Sequence, residues 1–479
     1  MTETRTPCTD TLHAWAEIQR TELPKRSVSQ RVADFLEIYT TLDEETAREQ
    51  AMRCVQCPHP ACVEACPLGN RIPDWLALTA EGQFVEAAQL LQSSSCMGDL
   101  FSRLCADPCE SRCVVDGPGQ PVSINAIERF LQSYGSSHGV SEDGAPTPNG
   151  YKVAVLDAGP CGLACAQELA LNGYAVTIFD HHAVPGGLLI NGTPAFKVDK
   201  HIVEHRLEYL RGLSVEFRLG DACDADLSLA TLREKFDAVF FGACAEEARP
   251  LRVPGADLRG VYQGVTFLLQ QNSVPGIRFA PIEVAGRRVV VLGAGETAMD
   301  CLRVALRSHA SSVICVYRKG EAEVSSAHPA YVEACEEGAE FEFFAQPVAV
   351  EGGEAGEVIA VRCAKTVYAK TGGTEPGGGE QEVETLSGPE FLVPADVVLV
   401  AYGYEAAPFC PAGDLQQIRV DGEGRILVDN NMMTSVPGVY AGGSLVHGRM
   451  LPVETVRDAR RAARAIHRHL VGVKGAKEG

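Results

Sequence analysis

The sequence predicts a multidomain chain, with an α-helical, cysteine-rich N-terminal region followed by two Rossmann-like α/β units. Three observations predict it. Eight cysteines fall within residues 54–113. A strand, glycine-rich turn and helix then begin at YKVAVLDAGPCGLACAQELALNGYAVTIFD, residues 151–180. The same order returns at RRVVVLGAGETAMDCLRVALRSHASSVICVYR, residues 287–318, and a repeated unit of this kind is the signature of dinucleotide-binding folds.

The N-terminal region, residues 1–135, has charged amphipathic stretches at Gln30–Met52 and Ile72–Leu91 and no Val/Ile-rich runs. It is expected to be helical. The polar stretch SSHGVSEDGAPTPNG, 136–150, is expected to be a linker, and TGGTEPGGGE, 371–380, a surface hairpin loop. The 479 residues carry 63 acidic and 42 basic side chains, a net charge of −21. Such a surface repels phosphates, which argues against nonspecific binding of nucleic acid or anionic membranes. No apolar run approaches the ~18–20 residues of a membrane span. The N-terminus lacks the basic and apolar pattern of a signal peptide, so a reducing cytoplasm is expected. There, the 18 cysteines are expected as metal ligands or small buried side chains rather than disulfides.

The cysteine run reads Cys54-x2-Cys57-x4-Cys62-x3-Cys66-Pro67, with Cys96, Cys105, Cys109 and Cys113 downstream. Close spacing lets one loop wrap several irons of a [4Fe–4S] cluster, and a closing Cys-Pro is typical of two-cluster ferredoxins, where the fourth cysteine serves the other cluster. Zinc is the alternative, but its sites favour paired C-x2-C motifs and only one occurs here. Buried structural thiols are the third reading.

In the first dinucleotide unit, Gly159 and Gly162 match the second and third glycines of the turn, and Asp180 closes the next strand where a ribose-binding acid belongs. Asp157 stands in the first glycine's place. Its carboxylate would repel a pyrophosphate, or cap the helix itself and take the anion's position. In the second unit, Gly293, Gly295 and Ala298 form G-x-G-x-x-A, with Glu296 and Thr297 opening the helix. The following strand ends in Arg318 and Lys319 rather than an acid. A basic pair there can meet a 2′-phosphate, which favours NADP(H) over NAD(H); an ordinary solvated pair is the alternative.

The segment RVADFLEIYTTLDEETAREQAMRCVQCPHPACVEACPLGNRIPDWL, with RVPG and TSVPGVYAGG later, resembles the small subunit of bacterial NADPH-dependent glutamate synthase. Related domains occur in dihydropyrimidine dehydrogenase and the large subunit of NADH-dependent ferredoxin:NADP oxidoreductase. The resemblance spans about residues 25–470. It implies a helical double-cluster domain (1–145), an FAD-type unit in two pieces (146–283 and 404–479) and an NAD(P) unit (284–403) inserted into it. It also implies that Cys54, Cys57, Cys62 and Cys113 hold one [4Fe–4S] cluster, and that Cys66, Cys105 and Cys109 hold the other with Glu128. Cys96 is the reserve ligand. Phe101 replaces a cysteine common in relatives, one not expected to be a ligand, and the Cys105–Cys109 gap is two residues shorter than usual.

For FAD, the family implies Gly187, Leu188, Lys197 and Gly443 besides the glycine turn and Asp180. This chain departs from the pattern at Asp157, at Gly242-Ala243-Cys244, at Ser444 in place of an aspartate, and at Ala459 in place of a glycine. Cys161 and Cys244 replace small residues near the same crevice, as buried thiols or as a thiol or metal pair. The implied activity is oxidation of NAD(P)H through FAD, with electrons passing through both clusters to a larger redox subunit. The alternative is an FAD-less relay or scaffold subunit without its own NAD(P)H chemistry.

Overall fold

The computed structural model describes residues 14–477, apart from 96, 118–119, 141–143, 221–227, 243–245, 273–280, 328–329, 370–382, 387, 407–408, 410–412 and 449. Cys96, Cys244 and the 371–380 segment therefore lie outside the described residues, as do the side chains of Leu188 and Leu189.

The N-terminal region is helical, but both long expected stretches divide. Gln30–Met52 becomes the helices Val28–Ala33 and Glu44–Met52. Asp34 turns extended after the first, and Asp43 caps the second by accepting the Thr46 N–H at 2.7 Å. Between them an extended arm runs across the second dinucleotide unit. Ile72–Leu91 divides at Gly82, whose φ of 78° ends the helix Ile72–Ala80. The domain core gathers Trp75, Leu76, Leu91, Ile127 and Leu131, all buried, with the cysteines at its edge.

Among the described residues, sixteen strands follow: β1 Lys152–Leu156, β2 Ala175–Asp180, β3 Glu216–Leu219, β4 Ala238–Phe241, β5 Glu246–Ala248, β6 Val261–Gln263, β7 Arg288–Leu292, β8 Ser312–Tyr317, β9 Glu340–Phe343, β10 Ala345–Gly352, β11 Val358–Tyr368, β12 Val383–Thr385, β13 Phe391–Pro394, β14 Val397–Val400, β15 Tyr404–Ala406 and β16 Val439–Ala441. Two parallel five-stranded sheets result, β16-β4-β1-β2-β3 and β6-β14-β7-β8-β9. Their central strands β1 and β7 are apolar after an opening Lys152 or Arg288, as strands covered on both faces must be. The first sheet is completed by β16, nearly 200 residues after β4, so the second unit is inserted into the first. The chain passes between them on β5 and β15, which pair antiparallel. The inserted sheet also takes in β6, ahead of the expected boundary at 284. A β10–β13 antiparallel sheet leans on this unit.

The helical domain docks directly. Its helix Gly98–Leu104 buries Met97, Leu100 and Phe101 in the core of the first unit. Phe101 thus packs between domains, which accounts for an aromatic residue at that position.

Candidate functional site

The cysteines fall into two groups. Cys57, Cys62 and Cys113 stand near enough to Cys54 to raise its thiol, and Cys57 and Cys113 near enough to Cys62 to raise that one. Cys66, Cys105, Cys109 and Glu128 form a second such group. The chain makes this crosswise grouping locally. Cys62 lies on the short helix Ala61–Ala65, and Cys66 caps its end with extended backbone (φ −73°, ψ 118°), leaving the first group. Burial pushes Cys54 and Cys105 up to about 12 and Cys62 to about 11. Such thiols give up their protons only to a strongly positive guest. Burial, with the nearby Asp107 charge, also raises Glu128 to about 8.

The residues present fit clusters better than single ions. A tetrahedral zinc ion with ~2.3 Å bonds needs donors within about 4 Å of one another. Among the described residues, the only trio with donor atoms inside 4.8 Å is Asp180, His181 and His182. No trio of the described cysteines brings its sulfurs that close.

Two nearby residues escaped the sequence reading. Asp107, at φ 51° between Cys105 and Cys109, accepts from Asn125 at 2.9 Å and is raised by burial to about 7. Arg53 is buried against Cys113's group and donates to the Gln120 carbonyl at 2.5 Å. Their positions beside motif cysteines were the available signal.

The first dinucleotide crevice lies at the carboxyl edge of β1 and β4, the switch point of the sheet. Gly159 starts the helix Pro160–Ala170, and a side chain at Gly162 would collide with the Asp157 carbonyl. Asp180 ends β2, its Oδ2 accepting the Ala158 N–H at 2.8 Å and its Oδ1 accepting from His182 N–H and Nδ1 at 2.8 and 2.9 Å. Gly187 packs onto the Gly159 backbone, and Gly443, at φ 70°, faces Cys161. Ser444 is buried behind it. The frame fits FAD along the strand ends, but the turn itself is filled: Asp157 reaches over it, accepting the Gly162 N–H at 3.3 Å.

In the second unit Gly293 has φ 111° and its hydrogen faces the Ala401 carbonyl, so only glycine fits. Gly295 caps the helix Glu296–Arg307 with open space before it. Thr297 is half-buried on its first turn. Arg318 is exposed after β8, whereas Lys319 is buried. Lys197, from the first unit, bridges to the second through Asp300 at 2.6 Å and Glu296 at 2.9 Å. Burial would lower Lys197, but these two carboxylates win and raise it.

Residues 31–140 match the family described as dihydropyrimidine dehydrogenase domain II, 4Fe-4S cluster, and residues 151–464 match pyridine nucleotide-disulphide oxidoreductases. The glutamate synthase [NADPH] small chain of Escherichia coli is 35% identical over 95% of this chain and 98% of its own. That of Azospirillum brasilense is 36% identical over 92% and 93%. The putative oxidoreductase AegA of E. coli is 36% identical over 96% of this chain and 71% of its own. Among solved structures, FprA from Mycobacterium tuberculosis shares the fold at a TM-score of 0.53 and 18% identity, covering 68% of this chain and 86% of that one.

Proposed function

Since the chain belongs to the glutamate synthase small-chain family of NAD(P)H-linked iron–sulfur flavoprotein oxidoreductases, we propose that it is the electron-input subunit of a larger redox complex. The observation that carries this reading is the pair of cysteine groups in a helical domain docked straight onto the first dinucleotide unit. Cys54, Cys57, Cys62 and Cys113 would hold one [4Fe–4S] cluster; Cys66, Cys105, Cys109 and Glu128 would hold the other. Arg53 places a buried cation beside the first set, where it offsets the negative charge of four thiolates.

In the inserted unit, Gly293 and Gly295 bring the backbone close to a pyrophosphate, and the helix start at Glu296 and Thr297 receives it. Exposed Arg318 is the group that would meet a 2′-phosphate, so NADP(H) is favoured over NAD(H); Lys319 is buried, which leaves Arg318 the main contact. Lys197 holds the two dinucleotide units in register across the crevice where nicotinamide and flavin would meet. FAD, when bound along Asp180, Gly187, Leu188 and Gly443, supplies the conversion between a two-electron hydride and single electrons.

The partner would be a larger subunit carrying its own redox centre, as a small chain implies. Among the described residues no helix is long and apolar enough to cross a membrane, and a reducing cytoplasm suits oxygen-sensitive clusters. Anaerobically purified protein should contain about eight irons and, supplied with FAD, bleach on adding NADPH. Four irons, or zinc alone, would overturn the two-cluster reading. Asp157 favours a second reading, an iron–sulfur relay without flavin, which is distinguished by finding full iron with no NADPH bleaching even when FAD is supplied in excess.

A further inference from the structure

The anion position at the start of helix Pro160–Ala170 is already taken by the protein. Asp157 adopts φ 141°, a region open to glycine and strained for other residues. From there its carboxylate folds back over the turn. Oδ2 accepts the Gly162 N–H at 3.3 Å, and Oδ1 and Oδ2 would stand 2.9 and 3.0 Å from a Cβ on Gly159. A bound pyrophosphate uses the same N–H groups at such a turn. A second side chain narrows the crevice independently. The Cys161 thiol donates to the Thr455 carbonyl at 3.4 Å and would lie 3.2 Å from a Cβ on Gly443, filling space between the two glycine turns. The Asp180 oxygens, which would take ribose hydroxyls, are held by Ala158 and His182.

We propose that Asp157 is a built-in pseudo-ligand: its carboxylate closes the pyrophosphate subsite, and FAD enters only by displacing it. This deepens the functional reading above and rests on it for the identity of the displaced ligand. The consequence is conditional loading. The chain holds its clusters permanently and its flavin weakly, so the flavin step is switched by whatever moves or neutralises one carboxylate. Burial pushes Asp157 up to about 7, against hydrogen bonds from Gly159 and Gly162. The other titratable groups facing it are Asp180 and His182. Loading should therefore improve as pH falls through 7, because neutral Asp157 no longer repels the pyrophosphate.

The test uses the full chain, purified anaerobically with its clusters. FAD, ADP and adenosine are titrated into wild type, Asp157→Gly and Asp157→Asn, with cluster absorbance and thermal unfolding confirming that each variant is folded. Losing a charged hydrogen bond that competes with the ligand predicts about tenfold to a hundredfold tighter FAD and ADP binding in Asp157→Gly. Adenosine, without a pyrophosphate, should gain nothing. Asp157→Asn keeps the bulk and the strained backbone, so its gain should be smaller and its pH dependence through 7 reduced to the share of His182, since Asp180 is held below the usual carboxylate range. Wild type carrying one tightly held FAD, with Asp157→Gly no tighter, overturns the pseudo-ligand and leaves the functional reading standing. No FAD binding by any variant overturns both the pseudo-ligand and the flavin step.

Discussion

Replacing Glu337 with glutamine should release the arm that ties the cluster domain to the inserted unit. Glu337 has a fully buried side chain. It accepts two hydrogen bonds from Arg303, both at 2.9 Å, two from Arg307 at 2.6 and 3.1 Å, and one at 3.4 Å from Arg31 on the helix Val28–Ala33 that leads into the arm. Burial alone would raise its pKa, but bonds from Arg307 and Arg303 outweigh that and hold it below the usual range. Glu333 still serves Arg303 and Glu336 still serves Arg31, at 2.8 and 2.7 Å. Arg307 keeps two carbonyls, the Phe196 ring 4.1 Å away and a weaker attraction to the Asp34 carboxylate, with no charged hydrogen-bond acceptor. Leaving one buried cation without its counter-charge costs about 3–5 kcal/mol. At about 1.4 kcal/mol per decade, that raises the opening equilibrium of the arm about a hundredfold to a thousandfold or more. Hydrogen exchange at Ile38, whose N–H bonds the Phe196 carbonyl at 3.1 Å, reads this directly. A change at Ile38 of less than about tenfold would refute the reasoning, since the network would then be compensated by water. The compensating double variant Glu337→Gln with Arg307→Met should recover much of the loss.

Two further predictions concern the cofactors. Cys105→Ala should lower iron from about eight to about four per chain while leaving the first cluster's spectrum unchanged; loss of both clusters in a folded variant would mean the grouping is wrong. Arg318→Glu should weaken NADPH relative to NADH by roughly tenfold to a hundredfold, measured as the ratio of kcat/KM values. An unchanged ratio would move the 2′-phosphate contact elsewhere.

What the sequence disclosed followed from chemistry that is local. Cysteines spaced two to four apart share a loop, which marks a metal-binding run; their crosswise grouping, which joins Cys113 to Cys54, came only from the family resemblance. The glycine turns are equally local: Gly162 and Gly293 each face a backbone carbonyl that no side chain could approach. Asp157's role as a cap was legible because its distance to the helix start is fixed by the turn. Non-local pairings were not legible. The three residues of β6 carry no periodic run and gain their place only by pairing with β14, more than 130 residues later. Arg303, Arg307, Glu333 and Glu337 read as ordinary charged helix faces, and only the arm laid across them makes them a buried network. Lys319 looked like Arg318's companion, but it is buried at the strand's end while Arg318 stays in solvent.

Lys197 offers the sharpest test of how the two dinucleotide units are coupled. It leaves the first unit just after Phe196 and pairs with Asp300, which is buried in the inserted unit. Burial raises the Asp300 carboxyl even with Lys197 beside it, and Lys197 is the main influence opposing the rise. Lys197→Met keeps the apolar stem and removes the charge, so Asp300 must rise further. The sign then follows from proton linkage. A carboxyl raised in the folded state binds more protons folded than unfolded between its two pKa values, so stability falls as pH rises through that window. The variant should therefore approach wild-type stability near pH 4 and lose it progressively toward neutrality, ending about 3–5 kcal/mol down. Wild type should show a smaller decline, because Lys197, raised in the folded protein, stays charged throughout and holds the rise of Asp300 down. Thermal unfolding from pH 4 to 8, read on both proteins with clusters intact, separates the cases. Parallel curves would mean that water, and not Lys197, compensates the Asp300 charge, and that the two units are held by packing alone.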